Sequence, residues 1–505
     1  MRSGVPDLLV LAPLSVEASA VRGGAPWARV HRTGMGPRRS ARSAELARQA
    51  ADSPVMIAGF CGALDPELEP GDIVLPTELR GPTGTTVCDD TTILAGLLRR
   101  AGFRVRQGPI ASTQRLVWGA RRQALHRSGA LAVDMESAWL ASAVGGQPLV
   151  TLRVVMDTSR HELYRPLRTL AAAATAYRTL RRACGLVEEW AGALRPRELL
   201  LASPRASCAG VERAVEIVER ALQERGAPIY VRKQIVHNSH VVADLEQRGA
   251  VFVEELCEVP RGATVIFSAH GVSPAVRREA AERGLEVIDA TCPLVAKVHA
   301  EARRFAQNGF DIVLVGHEGH EEVDGTLGEA PERMHVISST DDIDHLEVQD
   351  PKRVAYLTQT TLAVDDTEGV VDALRARFPA VVGPASSDIC YATQNRQDAV
   401  RALAAECDLV LVVGSGNSSN SRRLVEVSER AGCPALLVED GGEIPPGRLQ
   451  GVGTVGLTAG ASAPEELVEE VIRALEGLGP VTVSERTVAR EEIRFKLPPE
   501  VRSGR

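Results

Sequence analysis

Three of the nine cysteines in this 505-residue chain share one local context. Cys292 follows the apolar run LEVIDA and opens PLVAKVHAEARRF, whose apolar residues recur at helical spacing. Cys208, in LLLASPRASCAGVERAVEIVERAL, and Cys390, in SSDICYATQNRQDAVRALAAE, stand at the same kind of junction. Each is expected at a strand end and a helix start, where unpaired N–H groups and the positive end of the helix dipole favour the thiolate. Three such units converging on one point offer three thiolates, which suits an iron-sulfur cluster with one iron left open. A solitary intracellular cysteine is more often a small core hydrophobe. That reading is assigned to Cys61, Cys88, Cys184, Cys257, Cys407 and Cys433.

Between and after these cysteines lie TVIFSAHGVSPAVRREA, DIVLVGHEGHEEVDGTL and DLVLVVGSGNSSNSRRLVEV, each read as strand, polar loop and helix. The last two open almost identically, which suggests a strongly diverged internal repeat. The loops carry His270, His320, Ser418, Ser419 and Asn420, and nearby segments add His237, Thr360 and Ser462. Neutral donors and imidazoles in this number suit a small, highly charged anion such as a diphosphate.

Ahead of them, residues 1–195 alternate strand and helix: DLLVLAPL, a helix from Ser15, a strand around Val30, and GMGPRRSARSAELARQA turning into a helix. Gly34 and Gly36 would cradle an anion or make an ordinary tight turn. ALAVDMESAWLASAV puts Asp134 and Glu136 at the head of a helix, and PLVTLRVVMDTSRHEL ends a strand at Asp157. A closing amphipathic helix follows, and Pro196 marks a short junction.

A net charge of −8 and 3% aromatics supply neither the basic footprint nor the stacking residues of a nucleic-acid binder. No apolar run is long enough to span a bilayer, and the odd cysteine count lacks framework spacing, so a reducing, cytoplasmic setting is expected.

CAGVERA, IVHN, SAHGVSP, DATCPLV, GHEEVDGT, TQTTL, DICYATQNRQ, GSGNSSNS and GASAPE occur in the order found in the 4-hydroxy-3-methylbut-2-enyl diphosphate reductases, which residues 198–475 closely resemble. The resemblance implies a three-lobed α/β trefoil around a 4Fe-4S cluster held by Cys208, Cys292 and Cys390. It also implies diphosphate binding by His237, His270, His320, Thr360, Ser418, Ser419, Asn420 and Ser462. Glu322, otherwise a first-turn helix carboxylate, becomes the proton relay. The products would be isopentenyl and dimethylallyl diphosphate, the last step of the methylerythritol phosphate route, with electrons from a separate ferredoxin- or flavodoxin-type donor. Where that family has Asn-Pro-Arg-Gly-Phe-Cys, this chain has Ser203-Pro204-Arg205-Ala206-Ser207-Cys208. A cluster-bearing sensor of iron or oxygen is the competing class, and it would need neither the histidines nor Glu322.

VDMES and GALDPELEPGDIV, within residues 7–190, resemble the nucleoside phosphorylase and nucleosidase superfamily, particularly the methylthioadenosine/adenosylhomocysteine nucleosidases and hopanoid-associated phosphorylases. That resemblance places Met135 and Glu136 on ribose hydroxyls, Asp157 as the acid at the purine, and Glu17 near the attacking water or phosphate. It also implies self-association through this part. Met156 stands where the family has a serine before the acid, so a non-catalytic nucleoside-binding module stays open beside N-glycosidic cleavage. The expected organisation is an α/β nucleosidase-like domain over 1–195, the trefoil over 197–495, and a polar, fraying tail over 496–505.

Overall fold

The computed structural model describes residues 7–49, 53–82, 84–142, 144, 147–158 and 166–501. Continuous apolar runs become strands covered on both faces. VMIAGFCGA forms Val55–Ala63, buried at every position, with Leu9–Ala12 and Leu149–Asp157 parallel beside it. Two compact units result: Met1–Glu198 with Asp440–Gly453 and Glu469–Thr482, and Leu199–Glu439 with Thr454–Val468 and Val483–Arg505.

In the first unit a ten-stranded mixed sheet is built around Val55–Ala63. One edge of that strand is shared: Leu9–Leu11 pair with Val55–Ile57, and Ala132 and Val133 pair antiparallel with Ala63 and Gly62. Between these two pairings the Phe60 N–H donates to Glu17 Oε1 at 2.6 Å. Glu17 comes from helix Ser15–Gly24, which packs on the long helix Pro166–Gly192. A side chain thus completes the hydrogen bonding where the sheet edge changes partners.

The second unit holds three sheets with no strand in common. The first runs in the order Ala435–Val438, Leu409–Val413, Thr454–Ala459, Arg197–Ser203, Val481–Thr487. The second runs Ala250–Val253, Ile229–Arg232, Thr264–Phe267, Glu286–Asp289, and the third Met334–Ile337, Asp311–Val315, Val354–Thr358. The second and third sheets are parallel throughout. The three polar segments are strand-loop-helix units as expected, their helices being Pro274–Glu282, Glu321–Leu327 and Ser419–Arg430.

Cys208, Cys292 and Cys390 are the N-caps of helices Ala209–Arg225, Pro293–Gln307 and Tyr391–Ala404. Cys208 and Cys292 follow strands closely. Cys390 does not: residues 379–389 form no strand and meet the sheet through the bridge Ala355↔Val382 and through Asp388, whose Oδ2 accepts from the Thr358 N–H at 3.1 Å. The polar composition of SSD leaves no apolar run to pair there. Cys257 also departs from expectation, being exposed, whereas Cys61, Cys184 and Cys433 are buried. Among the described residues, no helix is long and apolar enough to cross a membrane.

The expected fraying tail is ordered as far as it is described. Leu497 and the fully buried Val501 pack into the core of Ile217, Val231 and Ile288, while 502–505 lie outside the described residues. Two apolar side chains in a polar stretch suffice to dock it. Val501→Ala is therefore expected to lower stability by about 1–2 kcal/mol, read as a shift in the urea midpoint. An unchanged midpoint would mean that the docking contributes nothing.

Candidate functional site

The three N-cap cysteines line one cavity of about 110 Å³. Gly210, in the first turn after Cys208, keeps it open: a Cβ there would stand 2.8 Å from the Cys292 sulfur and 3.8 Å from that of Cys208. Burial pushes the Cys292 thiol up to about 12 and the Cys390 thiol up to about 11, each partly offset by hydrogen bonds from the helix that follows. Protein surroundings alone therefore do not make these two thiols thiolates, contrary to expectation. Desolvation outweighs the helix N-terminus, and an iron cluster reverses the balance because coordination deprotonates a thiol outright. Three unpaired soft ligands converging on a cavity fit such a group.

Ala206 has φ of +57°, a left-handed conformation costing a non-glycine residue about 1–2 kcal/mol. The turn that delivers Cys208 is thus held against a local preference.

At the same cavity, three imidazoles come together. His237 and His270 stack at 4.1 Å between centroids, and His320 meets them edge-on at 5.3 and 5.8 Å. Burial and the neighbouring rings hold His237 and His320 down to about 3, so both are neutral. Ser418 caps its helix through the Ser421 N–H, and Ser462 donates to the His237 carbonyl at 2.9 Å. Asn420 accepts from the Ala461 N–H at 2.9 Å, while its buried Nδ2 has no partner among the described residues. A buried donor on a residue that lines the cavity, with nothing to receive it, is what an anion would satisfy.

Glu322 lies in the first turn of helix Glu321–Leu327 and is buried, with 3% of its surface exposed. The Thr360 N–H donates to Oε1 at 2.7 Å and the Thr360 hydroxyl meets Oε2 at 3.0 Å. Burial raises its pKa despite these bonds, favouring the protonated carboxyl. All eight proposed anion contacts, all three cysteines and Glu322 line this one cavity.

The four residues singled out in the first unit separate into two pairs. Met135 and Asp157 line a pocket of about 500 Å³ with Gly62, Arg122 and Asp134. Glu17 and Glu136 are buried around Arg153, which is fully buried and pairs with Asp134 at 2.8 Å and Glu136 at 3.9 Å. A Cβ on Gly59 would lie 2.5 Å from both Arg153 Nη1 and Glu17 Oε1, so only glycine admits this packing. Burial raises Glu17 and pushes Glu136 up to about 7, with Arg153 opposing both. Gly34 and Gly36 adopt positive φ in a turn, and the Gly36 N–H is given to Glu136 Oε1 at 3.0 Å. Asp157 is engaged by Arg122, which donates to Oδ2 at 2.8 Å.

Several lining residues escaped the sequence. Thr361 donates to the Ser419 hydroxyl at 3.1 Å, and the Thr393 N–H donates to the Cys390 sulfur at 3.3 Å. Their neighbours TQTT and CYAT were the available signal. Glu321 reaches His270 at 3.3 Å. Phe495 closes one side of the cavity from a segment whose sequence gives no sign of it.

Residues 199–476, more than half of the chain, match the family described as LytB protein, and residues 28–190 match the phosphorylase superfamily. The chain is 58% identical over 309 residues, 60% of its length and 94% of the relative's, to 4-hydroxy-3-methylbut-2-enyl diphosphate reductase 2 of Mycobacterium bovis. It is 56% identical over 305 residues, 60% and 90% of the two lengths, to the reductase of Zymomonas mobilis bearing that name. The solved E-1-hydroxy-2-methyl-but-2-enyl-4-diphosphate reductase of Plasmodium falciparum superposes with a TM-score of 0.58 at 38% identity, covering 61% of this chain and 97% of that one. With a phosphorylase-superfamily segment ahead of its three-cysteine unit, the chain belongs to the LytB protein family.

Proposed function

We propose that residues 197–495 reduce 4-hydroxy-3-methylbut-2-enyl diphosphate to isopentenyl and dimethylallyl diphosphate, the closing step of the methylerythritol phosphate route. One observation carries this reading: three cysteine N-caps, three imidazoles and a buried carboxyl line a single cavity. Cys208, Cys292 and Cys390 hold a 4Fe-4S cluster, which when bound supplies electrons singly and an iron free of protein ligands that acts as a Lewis acid. The electrons come from a ferredoxin- or flavodoxin-type donor.

The protein's own groups do the rest. His237, His270 and His320 with Thr360, Ser418, Ser419, Asn420 and Ser462 receive the diphosphate. Its charge raises the proton affinity of imidazoles that burial keeps neutral, so proton uptake accompanies binding. Glu322, whose pKa burial raises and which Thr360 orients, gives a proton to the leaving hydroxyl. A sensor of iron or oxygen has no use for this arrangement.

For residues 1–195 the observation is the set of three buried acids, Glu17, Asp134 and Glu136, around Arg153. It supports N-glycosidic cleavage of an adenosine-type nucleoside, with Met135 and Glu136 on the ribose, Asp157 against the base and Glu17 beside the nucleophile. Carboxylates stabilise the oxocarbenium character that develops as the base leaves. The Phe60 and Gly36 N–H groups, which would otherwise serve a phosphate, are given to Glu17 and Glu136. Water is therefore the nucleophile.

Protein reconstituted without oxygen is expected to hold about four irons per chain, one of them distinct by Mössbauer spectroscopy and altered by the hydroxylated diphosphate. An unresponsive cluster would leave a sensor or electron carrier. Glu322→Gln should lower turnover by about 10²-fold or more with the cluster spectrum intact. The apo-protein of that variant should melt no lower than the parent at pH 8. A carboxyl raised by burial destabilises the fold once pH exceeds the ordinary carboxyl range, and an amide has no such cost. A lower melting temperature would make Glu322 structural.

The first unit should release adenine from 5′-substituted adenosines without added phosphate. The rate should climb as pH rises through about 7, where Glu136 ionises. Stimulation by phosphate would replace water as nucleophile, and binding without release would make the unit a nucleoside-binding module. Asp157→Asn should cost about 10²-fold in rate; an unchanged rate would remove Asp157 from the reaction.

A further inference from the structure

Each cysteine helix carries a cation as its fifth or sixth residue: Arg213 after Cys208, Lys297 after Cys292 and Arg396 after Cys390. Each cation reaches the loop that delivers a different cysteine. Arg213 Nη1 donates to the carbonyls of Ala290 and Thr291, just before Cys292, both at 3.1 Å. Lys297 Nζ donates to the carbonyls of Ser386 and Ser387 at 2.8 and 2.9 Å and meets Asp388 at 3.3 Å, just before Cys390. Arg396 donates to the carbonyls of Arg205 at 3.3 Å and Ala206 at 2.7 Å, just before Cys208. The contacts run from the first cysteine to the second, the second to the third, and the third to the first.

We propose that Arg213, Lys297 and Arg396 are positioning residues that form a closed ring of cations, setting the spacing of the three sulfurs and placing positive charge behind them. The proposal rests on the cysteines holding a cluster. Three features support it. The sheets behind the loops share no strand, so strand pairing does not fix the distances between the sulfurs. The acceptors are main-chain carbonyls within four residues of a cysteine, so a shift of the cation moves the ligand. Two of the cations also hold the C-terminal segment: Arg396 pairs with Glu491 at 3.0 Å, and Arg213 Nε donates to the Lys496 carbonyl at 2.9 Å. Phe495, between these anchors, lines the cavity.

The test uses the full chain reconstituted without oxygen, as the parent, Lys297→Gln, Lys297→Arg, Arg213→Gln and the Lys297→Gln/Arg213→Gln double variant. Three quantities are read: the midpoint potential of the cluster, its rate of loss to an iron chelator, and the melting temperature of the apo-protein. Each Gln variant should lose its cluster at least tenfold faster and have a lower potential, because removing positive charge disfavours the added electron. Lys297→Arg should restore both. The double variant should lose its cluster little faster than either single one, since the first substitution already opens the ring. A potential and loss rate equal to the parent's in both single variants would overturn the ring. So would cluster loss that follows a fall in apo-protein melting with no change in potential. A parent that takes up no iron would instead overturn the cluster reading beneath it.

Discussion

Three loops from sheets that share no strand must end within a few ångströms of one point, and the second unit depends on that convergence. The carbonyls preceding each cysteine lie in loops outside the sheets, and those of Ala206, Ala290 and Thr291 belong to buried residues, where an unpaired acceptor is costly. Arg213, Lys297 and Arg396 satisfy them from neighbouring helices. The fully buried Arg396 shows how such a charge is tolerated. It donates to Ala206, Arg205 and Ala392 and is countered by Glu491. The bonds to Ala206 also hold a residue whose backbone conformation is locally unfavourable.

Across the cavity the same desolvation acts on titratable groups. It raises thiols and the Glu322 carboxyl and lowers His237 and His320, so each is driven toward its neutral form. A neutral cavity rich in donors has little charge of its own to discourage an anion. The burial that raises the Glu322 carboxyl is the same cause that lowers His237 and His320.

What could be read in the sequence was whatever local pattern fixes. The helix starts at the three cysteines, the strand-loop-helix units and the polar loops were visible because apolar periodicity and a neighbouring cap define them. Contacts between distant segments were not. Arg213, Lys297 and Arg396 look like ordinary solvated helix cations until the loops they meet are in place. Arg122 gave no sign of reaching Asp157. Asp440–Gly453 and Glu469–Thr482 follow the second unit's cysteines in order yet belong to the first unit, because compactness is decided by packing and not by chain order. Two apolar residues in a polar tail were too sparse to announce the docking of Val501.

The two units meet opposite electrostatic demands with the same material. In the first, Glu17, Asp134 and Glu136 surround a single arginine, leaving an excess of acid in a dry site. Such an excess is costly, as the elevated Glu17 and Glu136 show, and it is useful only where positive charge develops during the reaction. In the second, burial raises the pKa of the acid in the cavity, and the remaining polar groups are imidazoles, hydroxyls and an amide, which suit charge that arrives already negative. A phosphate would find the first site repulsive, and an oxocarbenium ion would find little in the second to stabilise it. The sign of the buried excess separates the two proposed chemistries more sharply than the folds do, because either α/β scaffold could have carried the other set of side chains.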